Sequence, residues 1–159
     1  MSQFIDVSTH MSAQSPSEML RELADEVEAR DITSRDVYGS GEWLQNFEKD
    51  VAEFTRKECA MYCPSGTMAQ QIALQVYKAQ CKKESKTFIA HPTSHLLVHE
   101  QHSYQHLMKA EVLQCGKDTE AMTYNDLEAL LGNDGVDPID PFALILEVPH
   151  REIGGCVTS

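Results

Sequence analysis

Pro64-Ser65-Gly66-Thr67-Met68 stands between a short apolar run, residues 59–63, and a stretch of helical period, residues 67–81. The run has the length of a strand, and Pro64-Ser65-Gly66 ends it. Met68, Ile72 and Val76 then recur in helical register. A strand that feeds a helix through a glycine turn is the repeating unit of an α/β fold. Downstream, residues 87–90 are a second predicted strand, residues 94 to about 108 a helix, and residues 111–115 a third strand. Thr123, with Asp126 three positions on, marks a helix start ahead of Leu127, Leu130 and Leu131. Residues 133–141 read as a turn-rich loop. Phe142-Ala143-Leu144-Ile145-Leu146 is a continuous apolar run, which predicts a strand covered on both faces. Alternation of strand and helix in this order predicts a three-layer α/β fold with a largely parallel sheet.

Upstream, Ser15-Pro16-Ser17-Glu18 predicts a helix start, with Ser15 as N-cap, Pro16 at the first helical position and Glu18 closing a capping box. Met19, Leu20, Leu23 and Val27 form the apolar face of that helix. Residues 31–35 break the pattern, and Asp36-Val37-Tyr38-Gly39-Ser40-Gly41 is a glycine-punctuated loop. A second helix follows, with Trp43, Phe47, Val51 and Phe54 at helical spacing and expected in the core.

Composition narrows the function classes. A chain of 159 residues can build one domain with its own core, and 42% hydrophobic with 24% charged residues is ordinary for a globular protein. The longest apolar stretch, Phe142 to Leu146, is far short of a membrane span. MSQFIDVSTH lacks the basic-then-apolar order of a secretory signal, so the cytoplasm is the expected location. A net charge of −12 argues against nucleic acid and anionic membranes as partners, and Lys82-Lys83 with Lys86 reads as a solvated loop. Five cysteines (59, 63, 81, 115 and 156), with no C-x-x-C, are expected to be reduced.

Three features carry chemistry. A helix start presents unpaired N–H groups and a partial positive charge. Gly66 admits close approach of an anion, and Ser65 and Thr67 add hydroxyls, a set that suits a phosphate monoester. Neither a P-loop nor G-x-G-x-x-G is present. The second feature is the run His91, His95, His99, His102 and His106, which on a single helix would lie within an arc of about 80°. Its i,i+4 pairs have the spacing of helical zinc ligands, but H-E-x-x-H is absent. A polar face is the other reading of the run, and a third needs only His95 as a flat ring against a flat cofactor, with Glu100 as acid, base or hydrogen-bond partner. The third feature is Glu147-Val148-Pro149-His150-Arg151-Glu152-Ile153-Gly154-Gly155, a charged cluster beyond a predicted buried strand, where α/β sheets bind ligands.

Asp36-Val37-Tyr38-Gly39, Pro64–Met68, Ser94-His95 with Glu100, and residues 147–155 with His150 and Gly154-Gly155 come in the order and similar spacing of threonine aldolases. From about Asp36 onward the chain resembles these members of the β-eliminating lyase group, which are pyridoxal-phosphate (PLP) enzymes of fold type I related to aspartate aminotransferase. The resemblance implies a division into an N-terminal segment, residues 1–35, and the N-terminal part of the PLP large domain, residues 36–159. It also implies PLP as cofactor, with its phosphate held by Ser65, Gly66 and Thr67 and its ring stacked on His95. His95, Glu100 and His150 would be the catalytic set, moving protons or holding a water. Tyr38 would reach across a subunit interface, Arg151 would contact substrate or interface, and no metal is implied. The implied reaction is retro-aldol cleavage of a β-hydroxy amino acid to glycine and an aldehyde, in a homo-oligomer or with a complementary C-terminal half.

The chain departs from the family pattern in three places. Asp6-Val7-Ser8-Thr9-His10 stands where the family has Arg-Ser-Asp-Thr, and Val148-Pro149-His150-Arg151 where it has Asn-Thr-His-Asn. The first falls on a substrate-facing contact of the family, and the second suggests a divergent branch whose substrate need not be threonine. The family's ring-nitrogen aspartate, Schiff-base lysine and carboxylate-binding arginine are expected beyond Ser159, since none of the eight lysines follows a late strand. The chain alone is therefore expected to be inert. Two alternatives remain at this level: a non-catalytic remnant that binds a phosphorylated ligand or a partner chain, and a metal-binding protein using the histidine-rich helix.

Overall fold

The computed structural model describes residues 14–132 and 140–157, and it divides the chain into two compact units, Met1–Tyr62 and Cys63–Ser159. Residues 6–10 and most of the 133–141 loop lie outside the described residues.

The first unit carries two helices, α1 (Pro16–Ala29) and α2 (Glu42–Thr55). The capping box forms as the sequence predicts. The Ser15 hydroxyl accepts the Glu18 N–H at 3.3 Å, and the Glu18 carboxylate accepts the Ser15 N–H at 2.7 Å. Between the helices, the Asp36 carboxylate accepts the N–H groups of Tyr38, Ser40 and Gly41 at 3.2, 3.1 and 2.9 Å. The stripe on α2 is not core: Trp43 and Phe47 stack with ring centres 6.0 Å apart, yet both are exposed, as is Phe54. Period marks which face of a helix is apolar, not whether anything covers it.

The Asp36 clamp gives a pH prediction. The Gly41 N–H, with those of Ser40 and Tyr38, holds this carboxyl below the usual aspartate value. A folded value below the unfolded one stabilises the loop fully above the unfolded value. That contribution is lost as the pH falls through the folded value. The amide shifts of Tyr38, Ser40 and Gly41 are expected to move together on acidification, with a midpoint below the ordinary aspartate range. A midpoint at or above that range would show that the clamp does not form.

In the second unit, β1 (Thr87–Ala90) and β2 (Glu111–Gln114) pair in parallel, Thr87 opposite Glu111 and Ala90 opposite Gln114. On the other side of β1 runs the segment at 142–145. Ile89 donates to the Ala143 carbonyl and accepts from the Ile145 N–H, both at 2.9 Å, and Leu144 bridges Ile89 in parallel. β1 is thus the middle of the sheet. Its side chains alternate: Phe88 and Ala90 pack with Leu74, Leu96, Tyr104, Met108 and Phe142, whereas Ile89 packs with Cys115 and Met122 on the opposite face. The first layer is built from α3 (Gly66–Gln80), α4 (His95–Val98) and α5 (Ser103–Met108). The far layer is α6 (Tyr124–Leu131), whose Leu127 and Leu130 lie against Ile89's cluster and whose start is the Thr123–Asp126 capping box. The result is the three-layer α/β arrangement with a parallel sheet.

Three expectations are corrected. Residues 59–63 form no strand; the Tyr62 N–H donates to the Glu48 carboxylate at 2.7 Å instead of to a ladder. The helix expected over 94–108 is broken, because Gln101 and His102 take left-handed φ of 47° and 58° between α4 and α5. The 142–146 run is not covered on both faces, since Leu144 and Leu146 are 40% and 51% exposed.

Candidate active site

Three segments converge at the carboxyl end of the parallel sheet, where α/β folds place their ligands. α3 begins there with Ser65 as N-cap, its hydroxyl accepting the Met68 N–H at 3.2 Å. β1 ends at Ala90 and leads through His91, Pro92 and Thr93 into α4, whose N-cap is Ser94. The 142–146 segment leads to Glu147 and His150, ahead of a 3₁₀ turn at Arg151–Ile153.

Hydrogen bonds join the segments. One oxygen of Glu100 accepts the Thr67 hydroxyl at 2.8 Å and lies 3.1 Å from the His95 Nε2. The Glu100 side chain is only 8% exposed, so these two donors replace most of its water. The break after α4, which removes the single histidine face, brings Glu100 back onto His95. The Glu147 carboxylate accepts the His95 backbone N–H, tying the third segment to the start of α4. His150 is 2% exposed, and its Nε2 lies 3.1 Å from the Thr93 hydroxyl and 3.3 Å from the Thr93 carbonyl. His99 pairs with Glu152 at 2.9 Å and holds that carboxyl below its usual value.

Thr67, His95 and Glu100 therefore belong to one hydrogen-bonded set, with Ser65 and Gly66 beside Thr67 at the start of α3; Glu147 ties that set to the segment that carries His150, and Thr93 holds His150 itself. Arg151 is exposed, its nearest carboxylate oxygen 3.8 Å away on Glu152. Tyr38 lies in the first unit, exposed beside the Asp36 clamp. Among the described residues no three His, Cys, Asp or Glu side chains form a group that could hold a metal ion, and His91 to His106 share no single helix face. Sequence reading missed Thr93 and Glu147 as connecting groups. It also placed His91 in a helical run, although its position just past β1 is itself a site signal.

The beta-eliminating lyase profile matches residues 12–159. The chain belongs to the beta-eliminating lyase family. A protein of Arabidopsis thaliana assigned as a low-specificity L-threonine aldolase is 34% identical over 85 residues, 54% of this chain and 22% of that protein. A crystal structure from Listeria monocytogenes, assigned as an L-allo-threonine aldolase, superposes with a TM-score of 0.73 at 32% identity, over 87% of this chain and 36% of its own. One from Exiguobacterium sp., assigned as an aromatic amino acid beta-eliminating lyase/threonine aldolase, gives 0.76 at 31% identity, over 95% and 39%. This lyase-family chain thus spans well under half the length of each relative, and its fold is that of their PLP fold-type-I large domain, incomplete here. None of its described helices is long and apolar enough to cross a membrane.

Proposed function

We propose that this chain provides the phosphate and ring end of a PLP site in a lyase of threonine-aldolase type acting on β-hydroxy amino acids. The observation that carries the proposal is the hydrogen-bonded set of Thr67, Glu100, His95 and Glu147 at the start of α3, with His150 held by Thr93 on the adjoining segments.

The residues fit a phosphate monoester. Gly66 takes no left-handed φ, and a Cβ there would meet nothing within 4 Å, so the protein's own packing does not require the glycine. An approaching ligand does. The N–H groups of Gly66 and Thr67 have no acceptor among the described residues and lie at the positive end of α3. The Ser65 hydroxyl, accepting from Met68, keeps its hydrogen to donate. Thr67 spends its hydroxyl hydrogen on Glu100, so its contribution to the phosphate is its backbone N–H. His95, held at Nε2 by Glu100, would present its ring to the pyridine. When bound, PLP supplies the electron sink for Cα–Cβ cleavage. His150, buried and held by Thr93, would carry a proton to or from substrate, with Glu100 orienting His95. Tyr38 and Arg151, both exposed, are contacts for substrate or a neighbouring subunit in a homo-oligomer. A cytoplasmic enzyme of amino-acid metabolism is the setting that follows.

Titration of the chain with PLP, pyridoxal and inorganic phosphate, read by cofactor absorbance, tests this. PLP is expected to bind at least about tenfold more tightly than pyridoxal, roughly 1.4 kcal/mol from the phosphate contacts, with inorganic phosphate competing. Binding is expected to be non-covalent, because no lysine hydrogen-bonds to the cluster among the described residues. Equal affinity for PLP and pyridoxal would sink the cradle. Tight phosphate binding unimproved by the ring would favour a different phosphorylated ligand.

A further inference from the structure

We infer that Thr93 and His91 are positioning residues that set the tautomer of His150, fixing Nε2 as its N–H and leaving Nδ1 as the one ring atom able to take a proton. The inference follows from which atoms can only accept and which can only donate. The Thr93 carbonyl lies 3.3 Å from the His150 Nε2, and a carbonyl has no hydrogen to give. The Nε2 must therefore carry the hydrogen.

The Thr93 hydroxyl, 3.1 Å from the same nitrogen, could reverse this by donating its own hydrogen there. His91 prevents it. The His91 Nε2 is 2.9 Å from the Glu120 carbonyl, so that nitrogen carries the hydrogen. The His91 Nδ1 accepts the Thr93 backbone N–H at 3.2 Å, so Nδ1 is bare. A bare nitrogen 3.0 Å from the Thr93 hydroxyl draws the hydroxyl hydrogen to itself. The hydroxyl oxygen then turns its lone pairs to His150 and accepts. The His150 Nε2–H then faces two acceptors, the Thr93 hydroxyl and carbonyl oxygens, and the series Glu120, His91, Thr93, His150 runs in a single direction.

The ring that sets this direction is itself clamped. His91 is 2% exposed and stands edge-on to His150, ring centres 4.5 Å apart. Gly116, at φ +98°, leaves the room it needs: a Cβ there would lie 2.9 Å from the His91 Cδ2 and 3.2 Å from its Nε2. Glu147 does not compete for the His150 Nε2, because its nearer oxygen is 3.9 Å away and its other oxygen takes the His95 N–H. The use made of the bare Nδ1 rests on the lyase proposal above; the tautomer does not.

The test is a long-range ¹H–¹⁵N correlation spectrum of the ¹⁵N-histidine-labelled chain at neutral pH without PLP, with peaks assigned by His91→Gln and His150→Gln. Both rings are expected to give the Nε2–H pattern with a bare Nδ1. Thr93→Val, which removes the hydroxyl and keeps the backbone carbonyl, is expected to leave His150 in the Nε2–H form. His91→Phe, which frees the Thr93 hydroxyl hydrogen to donate to His150, is expected to move His150 to a mixture of tautomers, and adding Thr93→Val to it is expected to restore the Nε2–H form. An Nδ1–H pattern for His150 in the unaltered chain overturns the inference, as does a mixture of tautomers in Thr93→Val or a His150 pattern unchanged by His91→Phe. The spectra contain no cofactor, so failure of PLP to bind would leave this result standing.

Discussion

Phe88→Ala is expected to lower the stability of the second unit by about 3–5 kcal/mol, measured by denaturant unfolding. Phe88 is fully buried on the middle strand. Its ring meets Tyr104 edge-on at 5.2 Å and Phe142 at 5.9 Å, within the cluster that holds Leu74, Leu96 and Met108. The backbone on both sides is pinned by ladder bonds to β2 and to the 142–145 segment, so the walls cannot close on the space the ring leaves. A loss of that size is a large share of the ~5–15 kcal/mol that holds a domain together. Phe88→Leu, which keeps most of the volume, is expected to cost no more than about 1.5 kcal/mol. Phe54→Ala removes the same ring from a side chain that is 89% exposed, and is expected to change stability by less than about 0.5 kcal/mol. A large effect at Phe54 would mean that the α2 stripe is core after all.

The contrast between Phe88 and Phe54 marks what the sequence could reveal. Both lie in well-formed apolar patterns, and both patterns predicted their element correctly. Local signals were legible where the physics is local. The capping boxes at Ser15–Glu18 and Thr123–Asp126 need only three-residue reach, and Thr87–Ala90 is bounded by polar residues on one side and a histidine turn on the other. What failed depends on distant partners. Residues 59–63 have a strand's composition and no neighbour to complete a ladder among the described residues. Gln101 and His102 adopt left-handed backbone with no glycine to announce it, so a period that continues across them hides the break. The site divides the same way. Ser65-Gly66-Thr67, His95 and His150 were visible as residue types at informative places. Their partners were not, because Thr67 reaches Glu100 across 33 positions and His95 reaches Glu147 across 52. Thr93 carries no motif of its own; it matters only because the fold sets His91 and His150 on either side of it.

Gly66→Asp is expected to weaken PLP and inorganic phosphate binding by about a hundredfold while leaving the fold as stable or slightly more so. The two effects have opposite signs for one reason. Gly66 is the first residue of α3, where a carboxylate sits favourably against the helix dipole, worth about 0.3–1 kcal/mol. Replacing glycine at a position with ordinary helical φ also removes backbone freedom from the unfolded chain, and a Cβ there meets no protein atom within 4 Å. The same carboxylate then occupies the place an incoming phosphate needs. At close range a like charge near the surface costs up to about 4 kcal/mol, and a hundredfold loss corresponds to about 2.8 kcal/mol. Gly66→Asn separates size from charge: it fills similar space, and its affinity is expected to lie between those of the unaltered chain and Gly66→Asp. Calorimetric titration with phosphate and thermal unfolding of the same three proteins give both numbers. If Gly66→Asp binds phosphate as the unaltered chain does, the anion is not held at the start of α3. If it binds less but also unfolds more easily, the glycine serves the fold, and the open space above it is not a ligand's.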